Sequence, residues 1–227
     1  TVDGNLDDWD WNAAAAIGRK DRVPRAEVSL RVSAGVNEYV PGDTLFVAFK
    51  VFKNGSYLNH AKDDPSRLFL GGDAVELRFR ADPAAEPGAR ELCMGDRRLV
   101  IGQVDGSPTA VLYNALVPNA KSPVVFRNPA GREVVFDAVS EVRNATVKIE
   151  NTDEGYVVEA AVPAGILGKL WPRRLIPGDA GIIVADSTGR RVARAYRFNR
   201  EARIVNDVPS EAALQPENWG IIKVTKE

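Results

Sequence analysis

One short segment carries charged side chains at the spacing that a polar binding face needs. Residues 75–80 read Val-Glu-Leu-Arg-Phe-Arg, and successive side chains of a β-strand point to opposite faces, so Glu76, Arg78 and Arg80 would share one face. A carboxylate accepts hydrogen bonds from sugar hydroxyls, and a guanidinium holds a carboxylate or sulfate group through two parallel hydrogen bonds. We therefore predict Glu76 and Arg78 as ligand-binding residues. The alternative is a solvated face whose opposite charges pair weakly across strands.

Sugar recognition also needs an aromatic ring against the C–H face of the sugar. Trp9 and Trp219 lie in motifs typical of a core. Trp171 is freer, because it precedes a proline and two arginines in a predicted loop. The residues that we predict as stacking platforms are Trp11, Trp171, Phe69 and Tyr113.

A compact group of oxygen-bearing side chains could bind calcium. Calcium takes six to eight oxygen ligands, often from Asp, Asn and backbone carbonyls of irregular loops. The predicted ligands are Asn59, Asp63, Asp64 and Asp73. These residue types also serve in turns and helix caps, and no EF-hand spacing is present. Structural calcium is thus one hypothesis for this segment, and turn formation is the other.

The scarcity of catalytic residue types argues against an enzyme. His60 is the only histidine and Cys93 the only cysteine, which excludes a disulfide within the chain and any site built from several cysteines or histidines. A catalytic triad could use only His60, and its polar surroundings favour an exposed loop. No nucleophile elbow or phosphate-binding loop is present. We predict no catalytic activity.

The overall charge and hydropathy exclude two classes of partner. Lys plus Arg number 30 and Asp plus Glu 31, for a net charge of −1, so no global field attracts nucleic acid or an anionic membrane. No apolar run approaches the roughly 20 residues that span a bilayer. We predict neither nucleic-acid binding nor membrane insertion.

Short alternating segments dominate the chain and predict its fold. Apolar residues on both faces of 45–52 predict a central strand that is covered on both sides, and Asp105-Gly106 predicts a hairpin turn. Helical signal is limited to 12–17, 163–168 and 210–214, the last with Ser210 as the expected cap. Many short strands without alternating helices predict an all-β protein: a two-sheet antiparallel sandwich with one or two helical turns, as a single domain over residues 1–227.

Five motifs in order give the chain a resemblance to a known family. They are Val-Asp-Gly-Asn at 2–5, the strand Asp-Thr-Leu-Phe-Val-Ala-Phe-Lys-Val at 43–51, Gly-Asp-Ala-Val-Glu-Leu at 72–77, Gly-Tyr-Val-Val-Glu at 155–159 and Trp-Gly-Ile-Ile at 219–222. Over nearly its whole length the chain resembles the family 9 carbohydrate-binding modules and the wider DOMON-like sandwiches. The resemblance implies a jelly-roll-like sandwich, structural calcium, and a domain attached to a secreted glycan-active protein, extracellular or periplasmic in a bacterium. The start of the chain almost on the first motif suggests a domain excised from a longer polypeptide.

The chain departs from the family where the sugar binds. The family holds a terminal sugar between two tryptophans, but the matching segments here read Arg-Leu-Phe-Leu-Gly-Gly at 67–72 and Glu-Ala-Ala-Leu-Gln-Pro at 211–216. Only Glu76 carries over. We predict a non-catalytic module that binds an oligo- or polysaccharide. One alternative is a DOMON-like haem domain that uses Met94 with His60 or a lysine, and another is a structural or protein-interaction sandwich.

Overall fold

The computed structural model describes residues 2–19, 21–33, 43–82, 84, 89–170 and 175–226. Most of this part of the chain forms short strands joined by turns. The strands are β1 (Ala15–Ile17), β2 (Arg25–Ser33), β3 (Thr44–Phe52), β4 (Ala74–Arg80), β5 (Asp96–Val104), β6 (Ser107–Asn114), β7 (Val124–Arg127), β8 (Glu133–Phe136), β9 (Ala138–Glu141), β10 (Thr146–Thr152), β11 (Gly155–Pro163), β12 (Leu175–Ala185), β13 (Arg191–Tyr196), β14 (Gly220–Lys223) and β15 (Thr225–Lys226).

Two sheets form the sandwich. The first has the order β1-β2-β3-β11-β10, with β15 parallel to β2, and the second has the order β13-β12-β4-β5-β6-β9, with β14 beside β12. The other pairs within both sheets are antiparallel. A separate hairpin joins β7 to β8. The predicted two-sheet antiparallel sandwich is confirmed.

Alternating apolar side chains of both sheets meet in the interior. The first sheet contributes the inward side chains of β2, β3 and β11, and the second those of β4, β5 and β12. Phe49 and Val158 are completely buried where β3 and β11 pair. Burying one such side chain contributes about 1.5–3 kcal/mol, so this interior is the main source of the fold's stability.

A two-residue turn fixes the register of the β5–β6 hairpin. Val104 pairs with Ser107, and the two residues between them, Asp105 and Gly106, have φ angles of 50° and 74°. Positive φ at both positions is the signature of a type I′ turn, which matches the twist of the flanking strands. The predicted Asp-Gly hairpin is confirmed.

Helical structure is short, and two helix predictions need correction. The helical turn at Trp11–Ala13 ends where β1 begins, so the helix predicted over 12–17 is wrong beyond residue 13. The five-residue helix α1 spans Val208–Ala212, and Asp207, not Ser210, is its N-terminal cap. The remaining 3₁₀ turns are Pro65–Leu70, Ala164–Leu170 and Pro216–Asn218. None of the described helices is long and apolar enough to cross a bilayer.

The N-terminal segment covers the outer face of the first sheet. Glu159 of β11 is buried there, and its carboxylate accepts hydrogen bonds from the backbone of Asp3 and Gly4 and from Trp9 Nε1, at 2.9, 3.0 and 3.1 Å. Trp9 and Leu6 pack on this face against Ala48. β3 is therefore covered on both faces, as its two-sided apolar pattern predicts.

Candidate functional site on the outer face of the second sheet

The outer face of the second sheet is not open. All seven residues of β4 are buried, because a second apolar cluster covers the face that carries Glu76 and Arg78. The covering elements are the 3₁₀ turn Pro65–Leu70, the β7–β8 hairpin, α1 and the segment 213–215. The segment 213–215 is hereafter called the strip. The expectation that this face is solvated or directly available to a ligand is wrong, because the charged side chains lie beneath a further layer of structure.

Beneath these elements lies a buried polar layer, made of Glu76, Arg78, Arg98, Arg194 and Tyr196. Glu76 binds two guanidinium groups: Oε1 accepts from Arg78 Nε at 2.8 Å and Oε2 from Arg98 Nε at 2.6 Å. The hydroxyl oxygen of Tyr196 accepts from Nη2 of Arg78 at 2.6 Å and from Nη2 of Arg194 at 2.7 Å. The side chains of this network come from β4, β5 and β13. Because β12 lies between β13 and β4, the network extends across four neighbouring strands.

The sheet register brings these side chains together. Arg78 lies directly opposite Arg98 on β5 and opposite Asp179 on β12. Glu76 lies opposite Gly181, and a Cβ on Gly181 would overlap the ring of Tyr196. A glycine at this position therefore lets the Tyr196 ring lie against the sheet and places its hydroxyl among the arginines.

The positive charges around Glu76 keep it ionised. Burial alone would raise the pKa of Glu76, but the charges of Arg78, Arg98 and Arg194 outweigh that effect and lower the pKa to about 2. A buried carboxylate with these neighbours is a permanent anion at neutral pH and holds the guanidinium groups in place. Proton transfer by Glu76 near neutral pH is not supported by this arrangement.

Phe69 and Tyr113 belong to this layer's cover, not to the surface. Both side chains are completely buried. The guanidinium of Arg98 lies 4.2 Å from the centre of the Phe69 ring, and the hydroxyl of Tyr113 donates to Ser66 O at 2.8 Å. The prediction that these rings stack on a sugar needs correction, because their faces already pack on protein groups.

The other two predicted platforms are elsewhere. Trp11 is half-buried on the outer face of the first sheet, where it packs with Trp9, Lys50 Nζ lies 4.1 Å from its ring centre, and its Nε1 donates to Leu6 O at 3.1 Å. It is thus on the opposite side of the sandwich from Glu76. Trp171 lies outside the described residues.

The predicted calcium ligands do not form one site. The carboxylate of Asp73 is buried against Lys53 Nζ at 2.7 Å and accepts from the backbone of Leu58 and Ala185. Asn59 bonds to its own loop, and Asp64 caps the 3₁₀ turn that follows it. Asp63 is exposed.

The ammonium of Lys53 lies 2.7 Å from the carboxylate of Asp73 and balances its charge, and structural calcium stays a prediction. The described residues contain no group of three or more His, Cys, Asp or Glu side chains that could hold a metal ion. For the haem alternative, Met94 and His60 are both exposed, and that alternative stays a prediction.

Two surface clefts flank the strip above the polar layer. The first, the Arg194 cleft, has a volume of about 200 Å³. Among the residues that line it are Arg132, Arg194, Glu201, Ile204, Ser210 and Gln215. The second has a volume of about 190 Å³ and is lined by apolar residues such as Val135 and Leu214. Arg78 Nη1 donates to Ala213 O at 2.8 Å directly beneath the strip. Arg194 of the polar layer lines the first of these two clefts.

The sequence indicates parts of this site and misses others. The alternation of Leu99 and Ile101 places Arg98 on the outer face of β5, which is a usable signal. Arg194 and Tyr196 give no comparable signal, because their approach to Glu76 depends on the pairing of β13 with β12. Of the other arginines, Arg191 pairs with Glu211, and Arg197 bonds to Ala16 O on the first sheet.

Comparison with known proteins supports the fold. No protein-family model and no curated protein matches the chain. Among solved structures, a family 9 carbohydrate-binding module from Caldicellulosiruptor kristjanssonii in complex with glucose matches with a TM-score of 0.51 and 16% identity, over 100% of this chain and 92% of that one. A family 9 module of the same organism in complex with cellotriose matches with a TM-score of 0.48 and 20% identity, over 100% and 90%. The first match confirms that the chain has the predicted family 9-type sandwich fold.

Proposed function

We propose that this chain is a single, non-catalytic carbohydrate-binding domain whose glycan binds in the Arg194 cleft. The observation that carries the proposal is a surface cleft with a preorganised polar floor on the second sheet. A solved structure with the same fold over the full chain is a carbohydrate-binding module in complex with glucose, which adds support. Glu76 and Arg78 serve as positioning residues, because they hold Arg194 and Tyr196 without reaching the surface.

The lining of the Arg194 cleft suits a sugar. Arg132 and Gln215 offer planar donor groups, Ser210 offers a hydroxyl, and Glu201 offers an acceptor. Ile204 is 58% exposed and provides an apolar surface for the C–H face of a ring. A small number of polar groups with fixed orientation beside an apolar surface is the usual composition of a ligand site.

The carboxylates of the region support binding without hydrolysis. Glycoside hydrolysis ordinarily uses two carboxyl groups that face each other across the scissile bond, about 5–10 Å apart. Of the described residues that line the Arg194 cleft, only Glu201 carries a carboxyl group. Glu76 is buried and permanently ionised. Asp207, which lies 4.0 Å from Arg132, is already bonded to Asn128 and Ser210, so Glu201 has no second carboxyl partner among the described residues that line the cleft.

The same proposal includes the biological setting. A non-catalytic sandwich of this kind would act as an accessory domain of a glycan-active protein outside the cytoplasm, extracellular or periplasmic, and would be covalently attached to a neighbouring domain. The fold likeness to a carbohydrate-binding module supports this setting. Identification of the domains encoded beside it tests the proposal directly.

Affinity-gel electrophoresis with a panel of soluble polysaccharides, followed by calorimetry with the matching oligosaccharide, tests the proposed function. We expect Arg132→Ala to weaken binding by about tenfold or more, since it removes a charged donor from the cleft. Trp11→Ala is the control for the location of the site, because Trp11 is a predicted stacking platform on the opposite face of the sandwich.

Three results would count against the proposal. Loss of binding in Trp11→Ala with unchanged binding in Arg132→Ala would move the site to the first sheet. Retention by no polysaccharide would remove the carbohydrate-binding function itself. Release of new reducing ends from a bound glycan would contradict the non-catalytic part.

A further inference from the structure

The polar layer is buried from solvent and carries more positive than negative charge. Arg78, Arg98 and Arg194 are at most 5% exposed, and among the described residues Glu76 is the carboxylate that bonds directly to Arg78 and Arg98. Even if Asp179 is included, because it lies near Arg78, three guanidinium groups face two carboxylates. Unbalanced buried charge is costly, and an anion that pairs with it is correspondingly favoured.

Arg194 illustrates this imbalance where the layer meets the cleft. Within the described residues, each recorded hydrogen-bond acceptor of Arg194 is uncharged: the hydroxyl of Tyr196 and the backbone carbonyls of Ile204, Ser210 and Glu211. Glu211 itself gives both of its carboxylate oxygens to Arg191, at 2.7 and 3.0 Å. The charge of Arg194 therefore has no carboxylate of its own.

Arg98 lies deeper in the layer and shares the carboxylate of Glu76 with Arg78. Its side chain is completely buried, its Nε bonds to Glu76, and its Nη1 has no hydrogen-bond partner among the residues that the structure describes. Positive potential from Arg98 and Arg78 is therefore added to that of Arg194. Interactions through the protein interior are screened less than those through water.

The cleft gives an anion access to this potential. Arg132 lines the cleft with a side chain that is 59% exposed, and its Nη1 donates to the hydroxyl of Ser210 at 3.1 Å. Two carboxylates oppose it: Asp207, 4.0 Å away and already bonded to Asn128 and Ser210, and the exposed Glu201. Arg132 and Arg194 both line the cleft, and a guanidinium binds a carboxylate through two parallel hydrogen bonds.

We propose that the glycan bound in the Arg194 cleft is an acidic one, and that the carboxylate of a uronic acid unit pairs with Arg132 and takes its place above Arg194. The inference rests on the proposed function and adds its substrate class. The uronate carboxylate supplies the negative charge that the polar layer lacks. The sugar ring lies along Ile204, and Ser210 and Gln215 bond to hydroxyl groups.

Calorimetry with two trisaccharides of equal length tests this inference. Trigalacturonate carries a carboxylate on each unit, whereas cellotriose carries none. We expect the full chain to bind trigalacturonate about tenfold or more tightly than cellotriose at low salt, and we expect salt to weaken only the former, because ions screen exposed charges. Sodium sulfate serves as a competing inorganic anion.

Arg132→Gln keeps a polar side chain and removes the charge. It should reduce trigalacturonate affinity about tenfold while cellotriose affinity changes less than about twofold. Arg127→Gln is the matched control: Arg127 is on the same hairpin, with a side chain that is 65% exposed, but it does not line the cleft.

The outcomes separate the two proposals. Equal or tighter binding of cellotriose, lost in Arg132→Ala, would overturn the acidic preference and leave the carbohydrate-binding function in place. Binding of sulfate with no trisaccharide binding would overturn both. Trigalacturonate binding that is insensitive to Arg132→Gln but lost in Arg127→Gln would overturn the assignment of the Arg194 cleft.

Discussion

The two buried regions on either side of β4 are stabilised by different physics. The interior of the sandwich receives Val75, Leu77 and Phe79 and is held together by apolar area removed from water. The polar layer receives Glu76 and Arg78 from the same strand and is held together by charge pairing. One segment of five residues, 75–79, thus serves both regions, which shows that burial of a strand says little about the force that stabilises it.

The two regions should also respond differently to mutation. Apolar contacts are numerous and individually weak, so the loss of one side chain costs its own area and the cavity that it leaves. Members of a charge network depend on one another, so the loss of one partner leaves the others buried without compensation. A network of this kind is weak evidence for stability as such.

The largest expected effect is that of Glu76→Gln. The substitution leaves three buried guanidinium groups without the carboxylate that bonds to two of them, and we expect a loss of roughly 3–5 kcal/mol in the free energy of unfolding. Urea denaturation at neutral pH measures it. The double variant Glu76→Gln/Arg98→Met should recover a large part of the loss, because it also removes one uncompensated charge. A double variant less stable than the single one would contradict the network description.

Leu45→Ala provides the corresponding test of the sandwich interior. Leu45 is 1% exposed, and its truncation should cost roughly 2–5 kcal/mol from lost burial and the resulting cavity. Combination with Arg98→Met should add the cost of the second mutation without rescue, because the two sites share no partner. A recovery of stability in this combination would mean that the two regions are coupled through the sheet.

Acid should destabilise the polar layer selectively. The pKa of Glu76 is lowered from its ordinary value near 4.5 to about 2, so its stabilising contribution is complete above pH 4.5 and is lost as the pH falls towards 2. The expected contribution is about 3 kcal/mol. Burial raises the pKa of Asp73 and of Asp179 in the folded state, so these two groups favour the folded state in acid and oppose the trend.

The difference between two proteins isolates this contribution. Unfolding of the wild type and of Glu76→Gln/Arg98→Met, compared from about pH 6 to about pH 2.5, cancels the effect of Asp73 and Asp179. The stability of the wild type should fall more steeply over this range than that of the double variant. Parallel pH profiles would show that Glu76 is not ionised by its arginine neighbours.

The sequence predicts the features that short-range rules control. The Asp105-Gly106 turn and the inward alternation of Val75, Leu77 and Phe79 depend on neighbouring residues, and the structure confirms both. The strand Arg25–Ser33 carries the same alternation, with Ala26 and Val28 facing inward, so its sequence also displays the signal of a strand. The early end of the first helical turn depends instead on the pairing of β1 with β2.

The candidate site depends on long-range geometry that the sequence does not display. The alternation of Glu76 with apolar residues places it on the outer face of the sheet. The same alternation occurs whether that face is covered by protein or exposed to solvent, so the pattern does not distinguish the two cases. The cover comes from residues far along the chain, such as Phe126 and Leu214. The same applies to Arg194, which joins Glu76 only because β12 lies between their strands.

The smallest expected effect concerns an exposed ion pair close to the polar layer. Arg127 and Glu133 pair across the β7–β8 hairpin, and their side chains are 65% and 42% exposed. Water and salt screen such a pair, so Arg127→Gln should change the free energy of unfolding by less than about 0.5 kcal/mol. Thermal unfolding at two salt concentrations measures this value. A loss of about 2 kcal/mol would mean that charge on this hairpin stabilises the cover of the second sheet. Exposed ion pairs would then contribute to stability as buried ones do, which would contradict the contrast between the two.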